Sequence, residues 1–436
     1  MRRALRGAVL GFTGDPFLAE DPAATLRITE DALVVLEDGL IAEVAPYDPA
    51  RARGLEVAYY PDALICPGFI DCHVHYPQTQ MIGAFGEQLL DWLNTYTFPA
   101  EQDYADPTHA AEAAKLFLAE LLRNGTTTAA VYCTVHPQSV EAFFAESHRL
   151  NTRMIAGKVL MDRNAPDALL DTAESGYAES KALIERWHGV GRQLYAVTPR
   201  FAPTSSPAQL AAASRLWREH PGTYLQTHLS ENEAEIAWVR ALFPEADSYL
   251  DVYHRAGLTG RRAIFGHAVH LSEAEFGCCH RTGSALAHCP TSNLFLGSGL
   301  FRLFDARRRE RPVCVGLGTD LGAGTSFSQL RTLGEAYKVA RALGTRLTAA
   351  HGFWLATEGA AQALDLAGRI GRVAPGHEAD LTVLDLKATP LLRYRMRHAR
   401  DWAERLFVLM TLGDDRAVRA TWVAGVPRHQ RDGAGG

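Results

Sequence analysis

The chain lacks what would send it into a membrane or out of a reducing compartment. No apolar run approaches the ~18 residues that a spanning helix requires. Behind the basic start Met1-Arg2-Arg3, the patch Ala8-Val9-Leu10-Gly11-Phe12 is too brief for a signal h-region. Cysteine is scarce and odd in number, seven in 436 residues, mostly inside apolar runs and with no Cys-x-x-Cys pair. That argues against a disulfide framework and predicts buried thiols in the cytoplasm. An excess of positive charge is also missing: 44 Lys and Arg stand against 50 Asp and Glu, a formal charge of -6. A broad nucleic-acid or anionic-membrane footprint is therefore not expected. There is no Gly-x-Ser-x-Gly elbow, no Walker-type loop, and neither the His-x-Glu nor the Pro-Cys-x-x-Cys element of polynucleotide deaminases.

What is present is an ordinary soluble composition, 47% hydrophobic and 22% charged, on a chain long enough for a large core. Residues up to about 66 read as short strands and turns, with Ala32–Leu36, Glu37-Asp38-Gly39 and Leu40–Val44 as a hairpin. The C-terminal stretches Ala379–Asp385 and Val418–Ala424 return to that style. The middle alternates differently. Apolar, β-branched runs end at Tyr76, Tyr132, Met161, Pro199, His228, His267, His288 and Asp320, and helical patterns such as 108–123, 207–217 and 329–343 separate most of them. The pattern predicts an α/β fold: a (β/α)₈ TIM-like barrel over 67–370, with a small β-sandwich domain formed by both termini, 1–66 and 371–436. The alternative is an open doubly wound sheet. The barrel is preferred because the polar residues that end these runs fall where barrel active sites lie.

Those run ends carry the chemistry. In His73-Val74-His75, residues i and i+2 of a strand project together. His228 closes a second run, His267 a third and Asp320 a fourth, a nitrogen and oxygen set suited to a catalytic divalent metal. Alone, each His is more often a surface or core residue than a ligand. His267 can be a fourth nitrogen ligand or a neutral His polarising substrate. Asp320 can ligate and take a proton from water, or simply cap the next helix. Glu231, three residues after His228 and at the expected opening of a helix, can answer the helix dipole or shuttle protons. Glycines 316, 318, 322 and 324 crowd the loop around Asp320, as a tight site requires.

At this point the residues resemble the amidohydrolase superfamily and, within it, the guanine deaminase family. The superfamily signals are Pro67-Gly68-Phe69-Ile70-Asp71 before His73-Val74-His75, and Val373–Leu381 near the end. The narrower ones are Leu89–Glu101, Thr198-Pro199-Arg200-Phe201-Ala202-Pro203-Thr204-Ser205 and His228-Leu229-Ser230-Glu231-Asn232. The resemblance implies one Zn²⁺ per chain on His73, His75, His228 and Asp320, with Glu231, His267 and Asp320 acting in catalysis. It implies substrate contacts from His75, Gln78, Arg200, Phe201, His228, Glu231 and Asp320. The implied reaction is the hydrolytic deamination of guanine to xanthine and ammonia by a homodimer, with guanine and water as its partners and no nucleic acid or membrane. Arg200 would match the oxo group and ring nitrogen on one edge of a 6-oxo purine; its bland reading is a surface salt bridge. Gln78 both donates and accepts. Phe201 reads as core or as a stacking platform, and Trp92, Tyr96 and Phe98 as a lid or as packing. Binuclear relatives use a carboxylated Lys on the fourth strand; Leu194–Arg200 has none, and Lys158 sits a strand earlier. The nearest rival is a deaminase or chlorohydrolase of the same superfamily acting on an aminotriazine, pterin or oxidised purine.

Overall fold

In the computed structural model, which describes residues 2–86 and 88–431, the chain divides into two compact units. One comprises Met1–Asp71, Ala119–Thr128 and Phe327–Gly436, the other Cys72–Leu118 and Ala129–Ser326. Residues 1 and 432–436 of the expected outer segments lie outside the described residues.

The termini build one hydrogen-bonded path of seven strands. Its order is Val426–Gln430, Val418–Val423, Leu381–Asp385, Glu56–Pro67, Arg3–Phe12, Leu26–Glu37 and Leu40–Pro46. Only Arg3–Phe12 with Glu56–Pro67 runs parallel; the other pairs are antiparallel. The expected hairpin is there. Glu37 pairs with Leu40, and the two residues between them, Asp38 and Gly39, both take positive φ, 51° and 82°. A two-residue hairpin turn with that twist requires such angles, which explains an Asp-Gly pair at this spot. Burial then splits by parity. Val34 and Leu36 join Leu5, Ile65, Leu381, Val383 and Trp422 in one core, while Leu33 and Val35 meet Ala4 on the opposite face.

The expected barrel is borne out. We number its parallel strands β1 (Phe69–His75), β2 (Thr126–Tyr132), β3 (Arg153–Gly157), β4 (Leu194–Pro199), β5 (Tyr224–Leu229), β6 (Ala263–His267), β7 (Ala285–His288) and β8 (Cys314–Leu317). They are hydrogen-bonded in that order, with the two-residue strand Val159–Leu160 added beside β4. Strands 1, 2, 3, 5, 6 and 7 are buried along their whole length, which is why they read as unbroken apolar runs and not as alternation. At the mouth, the Asp320 N–H donates to the carbonyl of His73 across 2.9 Å, so the segment after β8 meets the end of β1.

Three local details differ from expectation. The third run does not continue unbroken to Met161. It breaks at Lys158, whose N–H donates to the Tyr195 hydroxyl (3.2 Å). Glycine stands just before the break because a Cβ at 157 would come within 1.7 Å of the Ala196 carbonyl oxygen. The eighth strand stops at Leu317, leaving Asp320 in the following loop. The helix after β5 begins at Glu233 with Asn232 as N-cap, so Glu231 precedes the helix and does not sit in its first turn.

Candidate metal and catalytic site

Four strand mouths converge on one buried cluster. His73 and His75 leave β1 on the same side, and Asp320 Oδ1 lies 3.3 Å from His73 Nε2 and 3.4 Å from His75 Nε2. His228, at the end of β5, brings its Nε2 within 3.2 Å of His75 Nε2. His73, His75 and His228 offer ligand atoms that all lie within 4.8 Å of one another, as do His73, His267 and Asp320. Of these, His73, His75, His228 and Asp320 can hold a metal ion.

The electrostatics fit that reading. Burial lowers the pKa of all three imidazoles. For His75 and His228 the neighbouring imidazoles push it further down, and both lie well below the ordinary value. Neutral rings present lone pairs, the form a cation binds. Burial works to raise Asp320, but His267 and His73 outweigh it and hold its carboxyl at about 2. The ring of His228 is oriented from behind, because its Nδ1–H donates to the Arg200 carbonyl (2.7 Å) and turns Nε2 inward. His75 is stacked between Tyr132, 4.5 Å away, and His228. Its Nδ1 is buried and has no hydrogen-bond partner among the described residues. Glycine is required behind the cluster, since a Cβ at Gly266 would lie 2.6 Å from the His73 ring.

The backbone is strained where the side chains converge. Ser230, His267, Ala268 and Asp320 take φ values of 47°, 67°, 51° and 48°. Each such non-glycine residue costs about 1–3 kcal/mol, and strain of this kind gathers at functional sites. It is held in place after β5 by a capping box. Asn232 accepts from Ala234 N–H, while Glu235 Oε2 accepts from both Asn232 N–H (3.2 Å) and Glu231 N–H (2.9 Å). Tyr249 donates to the other Glu235 oxygen.

That anchoring aims Glu231 at the cluster. Its carboxylate accepts from Ser298 Oγ (3.0 Å) and lies 3.4 Å from His267 Nε2. Burial lifts its pKa to about 7, against the opposing pull of His267. His267 Nδ1–H donates to Asn293 Oδ1 (2.9 Å), and its Nε2 lies 3.8 Å from Asp320 Oδ2. Burial lowers His267, yet Glu231 and Asp320 outweigh it and its pKa is raised.

A cavity opens over these groups, lined also by Gln78, Arg200, Phe201, Trp92, Leu93 and Leu296. Every candidate metal-ligating, catalytic and substrate-contacting residue read from the sequence except His73 is on that wall, and His73 lies within the cluster; of the lid candidates Trp92 is there and Tyr96 and Phe98 are not. Arg200 is not a surface residue: it is 2% exposed and paired with Glu101, which is fully buried. Phe201 packs edge-on to His228 and Trp238. The Leu89–Glu101 segment divides its labour. Trp92 and Leu93 line the cavity, whereas Phe98 lies 5.4 Å from the Arg200 guanidinium carbon. Between them the helix widens into a π-turn over Leu93–Thr97, an irregularity common at functional sites. Lys158 is far from this role. Buried, it is paired with Asp171 (2.6 Å) and Glu179 (3.3 Å).

Sequence reasoning did not single out Glu101, Asn293, Ser298 or Glu235. Glu101 alone left a trace, as the last residue of the Leu89–Glu101 motif beside an Arg that needs a carboxylate once buried.

Comparison with known proteins sharpens the picture. Residues 64–428 match the model of the Amidohydrolase family. A guanine deaminase of Escherichia coli (strain K12) is 52% identical over 433 residues, covering 99% of this chain and 98% of that protein. A structure of E. coli guanine deaminase superposes with a TM-score of 0.96 over 99% of this chain and 100% of that one. A guanine deaminase from C. acetobutylicum with bound guanine in the active site, 28% identical, gives a TM-score of 0.88 over 98% and 100%. An adenosine deaminase from Xanthomonas campestris with bound zinc, 25% identical, gives 0.83 over 98% and 93%.

Proposed function

The chain belongs to the amidohydrolase family and, within it, to the guanine deaminases, and we propose that it hydrolyses guanine to xanthine and ammonia with one zinc ion per chain. The single observation that carries the substrate is Arg200: a buried guanidinium lining the same cavity as the His and Asp cluster. Guanine presents O6 and N7 as adjacent acceptors, and Arg is the side chain that matches such a pair. Gln78 supplies a donor and an acceptor from the same wall, and Phe201 gives the ring an apolar side to lie against.

His73, His75, His228 and Asp320 would hold the metal. A bound divalent cation there acidifies water at neutral pH. Glu231 takes one proton from the water that adds to carbon 2 and delivers it to the ring nitrogen. It then passes the second proton to the exocyclic amine as the C–N bond breaks. Its pKa near 7 suits a group that must both accept and donate at operating pH. Asp320 and His267 stabilise the tetrahedral carbon, with His267 fixed in one tautomer by Asn293. The absence of any Lys in β4, together with the pairing of Lys158 to Asp171, supports one metal and not two. The seven free thiols among the described residues support a reducing, cytoplasmic setting.

A panel of guanine, adenine and an aminotriazine, read by ammonia release from purified protein, tests the assignment. We expect guanine to exceed both in kcat/KM by roughly a thousandfold or more, because a site built to bond the oxo edge is left unpaired by an analogue without it. A preference for the triazine would overturn the reading.

A further inference from the structure

We propose that Glu101, which does not line the cavity, is the positioning residue that sets the preference for a 6-oxo purine by holding Arg200 in register. The inference rests on the function proposed above and assigns its specificity to a second residue. Both oxygens of Glu101 accept from the same nitrogen, Nη1 of Arg200, at 2.8 and 2.7 Å. Nε and Nη2 have no hydrogen-bond partner among the described residues, so the guanidinium keeps one edge for a ligand while the other is occupied. The pair is out of water, Arg200 at 2% and Glu101 at 0% exposure. In that setting a charge-assisted contact is strong and directional.

The local sequence explains how one short element does this. Phe98 and Glu101 are i and i+3 on the helix Phe98–Gln102, hence on one face. Phe98 sets its ring 5.4 Å from the guanidinium carbon and Glu101 takes its end. Against burial, which raises its pKa, the carboxylate also feels Gln78, which works to lower it. It also offsets the charge that Arg200 would otherwise bring to a cavity beside a cation site.

The test compares wild type with Glu101→Gln, which keeps shape and one acceptor, and Glu101→Asp, which keeps charge but falls short. Substrates are guanine and 2-aminopurine, which is guanine without the 6-oxo group; if 2-aminopurine turns over too slowly, its competitive inhibition constant is used. For Glu101→Gln we expect KM for guanine to rise about tenfold or more, the guanine to 2-aminopurine preference to fall by the same factor, and zinc content to stay at one per chain. Glu101→Asp should fall between. In an Arg200→Ala background, Glu101→Gln should change that preference no further. An unchanged preference, or an equal loss on both substrates, would overturn the proposal, as would a preference lost further in the Arg200→Ala background. If wild type makes no xanthine at all, the functional reading fails instead, so the two failures are distinct.

Discussion

Glu231→Gln is expected to lower kcat for guanine about 10³–10⁴-fold while leaving bound zinc at one per chain. General acid–base catalysis contributes roughly 10²–10⁴, and the proposed mechanism gives one carboxylate two transfers, which puts the expected loss in the upper part of that range. The amide can still accept from Ser298 Oγ, now 3.0 Å away, so position is kept and only the mobile proton is lost. None of the candidate metal ligands is altered. Ammonia release together with metal analysis of the same preparation checks both halves. Activity within tenfold of wild type would remove Glu231 from the proton path.

Arg200→Ala is expected to reduce kcat/KM for guanine roughly 100-fold or more, again with metal retained. Hydrogen bonds to a charged group contribute about 1.5–3 kcal/mol each; two of them lost together correspond to at least two decades at about 1.4 kcal/mol per decade. The same substitution strands Glu101, buried and bidentate to Nη1. Removing one partner of a buried pair costs about 3–5 kcal/mol of stability. Adding Glu101→Gln to Arg200→Ala should therefore recover unfolding free energy without recovering guanine recognition. A stability deficit and a recognition deficit that recovered together would mean that Arg200 acts only through folding.

The barrel was legible because six of its strands are buried along their whole length and helical patterns separate most of them. Three of those strand ends then bring their polar residues to one place, as His73 and His75, His228, and Asp320 do. What could not be read is what only closure of the barrel brings together. Glu101 and Arg200 are 99 positions apart, and Ser298 and Glu231 67 apart, with no period linking either pair. Element ends were misjudged where a side chain competes with the backbone pattern. Asn232 caps the helix two residues later than the apolar period suggests, and the Tyr195 hydroxyl takes the Lys158 N–H out of the third strand. The Trp92–Phe98 stretch defied a single reading because a π-turn sends its two ends to different tasks.

The most direct test of the whole account is xanthine formation from guanine by protein stripped with a chelator and then titrated with zinc. We expect no turnover in the stripped protein, and a linear recovery that stops at one equivalent per chain. Full turnover without metal, or a recovery that continues to two equivalents, would contradict the single-cation site.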